Sequence, residues 1–169
     1  MGFTIRPARE EDAVALIALL NPLIRAGIYT VMDQELSLAD QLGFMRGFPE
    51  RGVFYVAVSN DSQQIVGLQD VVPMSSDLAF RRVGVISTFV ALTAHRQGIG
   101  RCLSQATFQA ARALSFTKIS AAVRADNPAA LAFYQSQGFR VIGIAQKQAL
   151  VQGNYIDEVL LEKLIEEIL

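Results

Sequence analysis

From Val83 onward an apolar run (Val83, Val85 and Ile86, then Phe89 and Val90) continues to Leu92, meets the turn Gly98-Ile99-Gly100, and passes into a helix-period pattern of Ile99, Leu103, Ala106, Ala110 and Leu114. The run reads as a strand buried on both faces. A strand, a glycine turn and a helix in that order leave backbone N–H groups unpaired at the helix start. Glycine lets a ligand approach them closely. With the helix dipole, such a turn suits a diphosphate, and Arg96 and Arg101 add positive charge beside it. The same two glycines also fit a tight turn with no ligand, and this segment alone leaves both readings standing. No Lys-Ser or Lys-Thr follows the glycines, and no three-glycine dinucleotide fingerprint sits in a first βαβ unit, so two common phosphate loops are set aside.

The remaining elements follow from local pattern. Phe3 to Pro7 reads as a strand, and Glu10 to Leu20 as a helix with acids in its first turn, stopped by Asn21-Pro22. Ser37 is a candidate N-cap for a helix through Leu38, Leu42 and Met45 that Gly47 and Pro49 close. Val53 to Val58 and the strand starting at Ile65-Val66-Gly67-Leu68 form a hairpin around Asn60-Asp61-Ser62. Lys118 to Val123 is a strand, and Asn127 to Ser136 a helix with Pro128 in its first turn and Gly138 after its end. Phe139 to Ile144 and Tyr155 to Leu161 are strands, the last leading into a charged tail. The order β-α-α-β-β-β-α-β-α-β-β describes an α+β, three-layer domain over residues 1–169. Its sheet is mixed, mostly antiparallel, of about seven strands with four helices on its faces.

The second informative block is Asn127-Pro128-Ala129-Ala130-Leu131-Ala132-Phe133-Tyr134-Gln135-Ser136-Gln137-Gly138-Phe139. Together with His95-Arg96-Gln97-Gly98-Ile99-Gly100, and with a strand between, it resembles the GNAT superfamily of acyl-CoA-dependent N-acyltransferases. The first block matches that family's Gln/Arg-x-x-Gly-x-Gly/Ala loop and the second its Asn-x-x-Ala-x-x-x-Tyr-x-x-x-Gly-Phe helix. The resemblance implies acetyl-CoA as cosubstrate. It implies that Phe89 and Val90 offer strand-edge backbone groups to the pantetheine arm. It puts His95, Arg96, Gln97, Gly98, Ile99, Gly100 and Arg101 around the diphosphate, Asn127 on the cofactor arm, and Tyr134 at the thioester sulfur. His95 stands where the family carries Gln or Arg, with the arginine one place later.

Acetyl transfer to an amine needs a neutral nitrogen, although a lysine-like amine has a pKa of ~10.4. It also needs a donor for the developing oxyanion, which a strand-edge N–H near Val90 offers, and a proton for the leaving thiolate, which the Tyr134 phenol offers. Some members of the family carry a glutamate early in the fourth strand; the aligned position here is Gly84, and no acid lies between Val83 and Val90. The base stays open among Asp33, Glu35, Asp70 and a water relay through Ser87 or Thr88. His95 titrates in the right range but belongs to the loop. Cys102 reads as a small buried apolar group, with a helix-terminal thiol of lowered pKa as the alternative.

The stretch Gly153 to Leu160, with Thr30 and the region of the second helix, looks like the phosphinothricin acetyltransferase branch of the superfamily. That implies a small amine such as an amino acid or an analogue, in a pocket drawn from Tyr29, Met32, Phe80 and Tyr155. The rival readings are an acyl-CoA-binding sensor without catalysis and an acetyltransferase for protein N-termini or lysines. With 15 basic against 16 acidic residues the net charge is −1, which gives no electrostatic case for nucleic acid or an anionic membrane. One cysteine and one histidine supply neither an internal disulfide nor the usual metal clusters. No apolar stretch reaches the ~18 residues of a membrane span, and the N-terminus lacks the order of a secretory signal. A cytoplasmic enzyme is expected, and the apolar late strands leave room for a homodimer.

Overall fold

Alternating β-branched and aromatic residues build the sheet, and the computed structural model describes residues 2–165. The elements are β1 (Phe3–Pro7), α1 (Ala13–Ala26), α2 (Leu38–Arg46), β2 (Val53–Ser59), β3 (Ile65–Pro73), β4 (Val83–Val90), α3 (Ile99–Ala113), β5 (Lys118–Arg124), α4 (Pro128–Ser136), β6 (Arg140–Val151) and β7 (Asn154–Leu164). They form one seven-stranded sheet in the order β1-β2-β3-β4-β5-β7-β6. Every neighbouring pair is antiparallel except β4–β5. The mixed sheet with four flanking helices is the expected architecture. The charged tail expected after the last strand continues into 166–169, outside the described residues.

Strand alternation sorts the side chains onto two faces. Leu68, Val56 and Phe89 pack with Leu16, Leu20 and Leu23 of α1. On the opposite face Val71 and Ile86 pack with Phe108 of α3 and with Tyr134 and Phe139 around α4.

The parallel pairing of β4 with β5 covers only Val83, Gly84 and Val85 against Lys118, Ile119 and Ser120. Beyond it the two strands diverge, so Ile86 to Val90 present an edge to a gap in the middle of the sheet.

Four local expectations are corrected. Asn21-Pro22 does not stop the first helix, which runs on to Ala26 and ends at Gly27 with φ +70°. An interior proline costs about 3 kcal/mol. Burying Leu23 and Ile24, 2% and 1% exposed, returns roughly 1.5–3 kcal/mol each and offsets it. Asn21 brackets the next loop instead: its side chain accepts from Leu36 N at 2.8 Å and donates to Leu36 O at 3.1 Å.

The run from Val83 ends at Val90 and is not buried on both faces; only Gly84 and Ile86 are buried in it. The diverging β5 leaves its second half partly open. In α2, Ser37 is the N-cap and forms a capping box with Asp40. The buried residue of that helix is Gln41, however, while Leu38 is exposed. The last two strands extend further than their apolar runs, to Val151 and from Asn154 to Leu164: they pair with each other from Val151 and Asn154 back to Arg140 and Glu162, and Lys163 and Leu164 pair with β5.

Candidate active site

The gap between β4 and β5 opens into a cavity of about 450 Å³. Its walls include Ile86, Ser87, Thr88 and Phe89 of β4, Ala122, Val123 and Arg124 of β5, and Asn127, Ala130 and Tyr134 of the α4 segment. The segment between α1 and α2 closes the other side with Tyr29, Thr30, Val31, Met32 and Leu36. Because the sheet is split there, groups from both of its faces reach one space.

Tyr134 arrives from the α4 face. It is buried among Phe133 and Phe139, whose ring centroids lie 5.1 and 5.2 Å from its own. Its hydroxyl donates to Thr88 Oγ1 at 3.0 Å. Burial pushes the phenol up to about 12, with the nearby Asp70 charge acting in the same direction and the Thr88 hydrogen bond against it.

Asp70 arrives from the α1 face, one strand away. It is 7% exposed, lines the cavity, and faces Ser87 directly across the β3–β4 ladder. Burial raises its carboxyl to about 7, and a hydrogen bond from Ser87 opposes part of that rise. A carboxylate poised near neutrality in a cleft suits a general base. The other acids considered as bases are elsewhere: Glu35 is in an exposed ion pair with Arg25 at 2.9 Å, Asp33 is exposed, and neither lines the cavity.

Gly84 holds no vacant base position. A Cβ there would lie 2.5 Å from Val71 Cγ1 and 3.0 Å from Ile119 Cδ1, so residue 84 faces the packed core. Glu158 of β7, which the sequence patterns did not single out, also lines the cavity, with its carboxyl raised by burial. In the sequence it falls inside the stretch Gly153 to Leu160, as an acid abutting the apolar run Val159 to Leu161.

The loop before the glycine turn reaches the cavity through His95, whose ring packs edge-on against the wall residue Tyr29 with centroids 5.7 Å apart. Arg96 and Gly98 both adopt positive φ, +61° and +80°. The helical ladder of α3 starts with Cys102 N donating to Gly98 O at 3.1 Å, so the N–H groups of Ile99, Gly100 and Arg101 have no acceptor within the helix. Open space surrounds Gly98, where an added Cβ would meet nothing within 4 Å. No acid occupies the first turn. An anionic diphosphate fits this combination of free donors, approach and charge. The Ile99 side chain is buried in the core, so only its backbone is on offer.

His95 Nε2 lies 3.0 Å from Val90 O. A carbonyl only accepts, so that nitrogen carries the proton and the imidazole ties the loop to the end of β4. Asn127 lines the cavity and caps α4, its Oδ1 accepting from Ala130 N at 3.1 Å.

Two pocket residues and one core residue are placed differently from expectation. Phe80 and Tyr155 are 45% and 65% exposed and lie outside the cavity wall, whereas Tyr29 and Met32 belong to it. Cys102 is exposed, because it sits on the outer face of α3 while Leu103 and Ser104 turn inward. Among the described residues no helix is long and apolar enough to cross a membrane, and no group of three or more His, Cys, Asp or Glu is arranged to hold a metal ion.

The family model described as "Acetyltransferase (GNAT) domain" matches residues 5–160. The chain is similar to phosphinothricin N-acetyltransferase of Streptomyces coelicolor, 26% identical over 155 residues that cover 90% of this chain and 91% of the relative. Among solved structures, ribosomal-protein-alanine N-acetyltransferase from Brucella melitensis superposes with a TM-score of 0.86 at 25% identity, covering 95% of this chain and 99% of the other. A GNAT superfamily phosphinothricin acetyltransferase from Sinorhizobium meliloti, solved in complex with AcCoA, has a TM-score of 0.88 at 19% identity, covering 97% and 89%.

Proposed function

This chain belongs to the GNAT acetyltransferase family, and from that premise we propose that it transfers an acetyl group from acetyl-CoA to a primary amine of a small molecule, by direct attack in a ternary complex. The observation that carries the reading is the meeting of Asp70 and Tyr134, from opposite faces of the sheet, in one cavity. The reading includes one catalytic domain over residues 1–169 and a cytoplasmic location.

The cosubstrate is held by the backbone from His95 to Arg101, with Arg96 and Arg101 beside the diphosphate. The Asn127 amide and the β4 edge at Phe89 and Val90 hold the arm that leads inward. Once bound, acetyl-CoA supplies a thioester carbonyl carbon for the amine nitrogen, with a thiolate as leaving group. Of the two protons that the ammonium form gives up, Asp70 takes one and passes it to solvent, and the other ends on the sulfur. The N–C bond forms as the C–S bond breaks, while a β4-edge N–H near Val90 serves the developing oxyanion.

Tyr134 guides the second proton. Burial pushes the phenol up to about 12, which makes it a weaker acid than an ordinary thiol, so outright transfer runs uphill. Its part is to donate a hydrogen bond to the sulfur while the amine proton follows in concert. Protonation of Asp70 removes a negative charge that raises the phenol, so the base having acted makes the donor stronger.

A CoA-release assay over a panel of amines tests the reading. Turnover with free amines supports it. Saturable acetyl-CoA binding with no turnover on any amine indicates a sensor. Activity on peptides alone indicates an acetyltransferase for protein N-termini or lysines, in line with the name of the Brucella neighbour.

A further inference from the structure

We infer that the acceptor is a hydrophobic primary amine, arylalkyl or alkyl, that carries no carboxylate or phosphoryl group; this rests on the acetyltransferase reading above. The ionisable side chains of the cavity wall are unbalanced in sign. Asp40, Asp70 and Glu158 are carboxylates, and Arg124 is the only lysine or arginine among the wall residues.

Arg124 is already engaged. Its Nε and Nη2 donate to the two Asp126 carboxylate oxygens at 2.9 and 2.8 Å, and its Nη1 donates to Thr30 O at 2.9 Å. A guanidinium neutralised in this way fastens the Thr30 segment and offers little net charge to an incoming anion. Glu158 stands opposite Arg124 in the β5–β7 ladder, yet among the described residues no cation lies within ion-pair distance of it.

The charge pattern discriminates between two kinds of amine. An amino acid brings an ammonium and a carboxylate, and in this half-desolvated space the carboxylate meets like charge without a free counter-ion. An amine without an anionic group brings only the charge that Asp70 and Glu158 attract. The apolar part of the wall supplies the rest of the recognition: Met32, Leu36, Phe44 and Phe54 offer contact to a hydrocarbon body and no hydrogen bond. Phe44, 46% exposed, packs edge-on against Phe54 with centroids 5.8 Å apart and presents its outer face at the rim.

Matched pairs differing only by a carboxylate test this on the unmodified enzyme: 2-phenylethylamine against phenylalanine, and pentylamine against norleucine, with phosphinothricin as an anionic probe. The expected result is a kcat/KM at least tenfold higher for the decarboxylated member of each pair. The same ranking is expected in Kd when the compounds are titrated into protein saturated with coenzyme A. Glu158→Gln should shrink the ratio several-fold by improving the amino acids. Equal or better turnover of the amino acids or of phosphinothricin, with coenzyme A still released, overturns the inference and leaves acetyl transfer to a small amine intact. No coenzyme A release from any of the five compounds, with no ranking in the titrations, overturns both.

Discussion

Tyr134 Oη and Thr88 Oγ1 lie 3.0 Å apart, and the same Thr88 oxygen accepts a hydrogen bond from Gln69 Nε2 at 2.9 Å. Gln69 is wholly buried and also donates to Ser104 Oγ at 3.1 Å, so β3 and α4 converge on one β4 threonine hydroxyl and Gln69 extends the network to α3. The arrangement holds the phenol oxygen at the cavity wall. If Thr88 reverses its role and donates to Tyr134, the phenol proton turns toward the cavity without movement of any heavy atom.

Tyr134→Phe keeps the ring packing against Phe133 and Phe139 and removes only the hydroxyl. The expected outcome is a kcat lowered roughly tenfold or more, with the KM for acetyl-CoA little changed. Steady-state kinetics check it, and an unchanged kcat would take the phenol out of the mechanism.

For Asp70 the expected signature is a pH profile. Only the ionised carboxylate takes the amine proton, so kcat/KM should climb as pH rises through about 7 and level off above it. In Asp70→Asn that limb disappears and the remaining rate falls on the order of a hundredfold.

The same residue makes a stability prediction of opposite sense. Its folded pKa, about 7, is above the ordinary carboxylate value of 3.8, so between those values the folded state binds the extra proton and stability falls as pH rises. The full difference is about 4 kcal/mol. Asp70→Asn should therefore have a higher Tm than the parent at pH 8 and little advantage at pH 4, which calorimetry at the two pH values would show.

Arg124→Met retains much of the buried aliphatic stem but leaves the Thr30 carbonyl and Asp126 without their donor. A loss of about 1.5–3 kcal/mol is expected from the charged hydrogen bonds. The KM for the amine should rise as well, because Thr30, Val31 and Met32 line the acceptor side of the cavity. Denaturant unfolding and kinetics measured together test both effects.

Gly98→Ala isolates the backbone, since an added methyl meets open space but φ there is +80°. The strain is on the order of 1–2 kcal/mol. A several-fold rise in the KM for acetyl-CoA with little change in the rate at saturation is expected. Equal loss in both parameters would count against a purely cofactor-holding role for the turn.

Legibility in the sequence followed the range of the interactions involved. The glycine turn could be read because a left-handed residue at a helix start is a local requirement, and Asn127-Pro128 because an N-cap and a first-turn proline act within four residues. Pro22 misled, since its cost is local whereas the burial of Leu23 and Ile24 that outweighs it comes from the sheet. Cys102 misled for a related reason: the face a helix turns inward is set by what packs on it, and on α3 Leu103 and Ser104 take that place.

Element order and the two motif blocks are properties of neighbouring residues, so they were present in the bare string of amino acids and were enough to indicate a family. Which of the candidate acids lines the cavity was not. Asp70 has its carboxyl raised to about 7 only because the folded chain buries it, against the opposing hydrogen bond from Ser87, and it shares a space with Tyr134 because β4 parts from β5 just beyond Val85. Desolvation depends on every atom that surrounds a group, and most of those atoms come from segments far away along the chain.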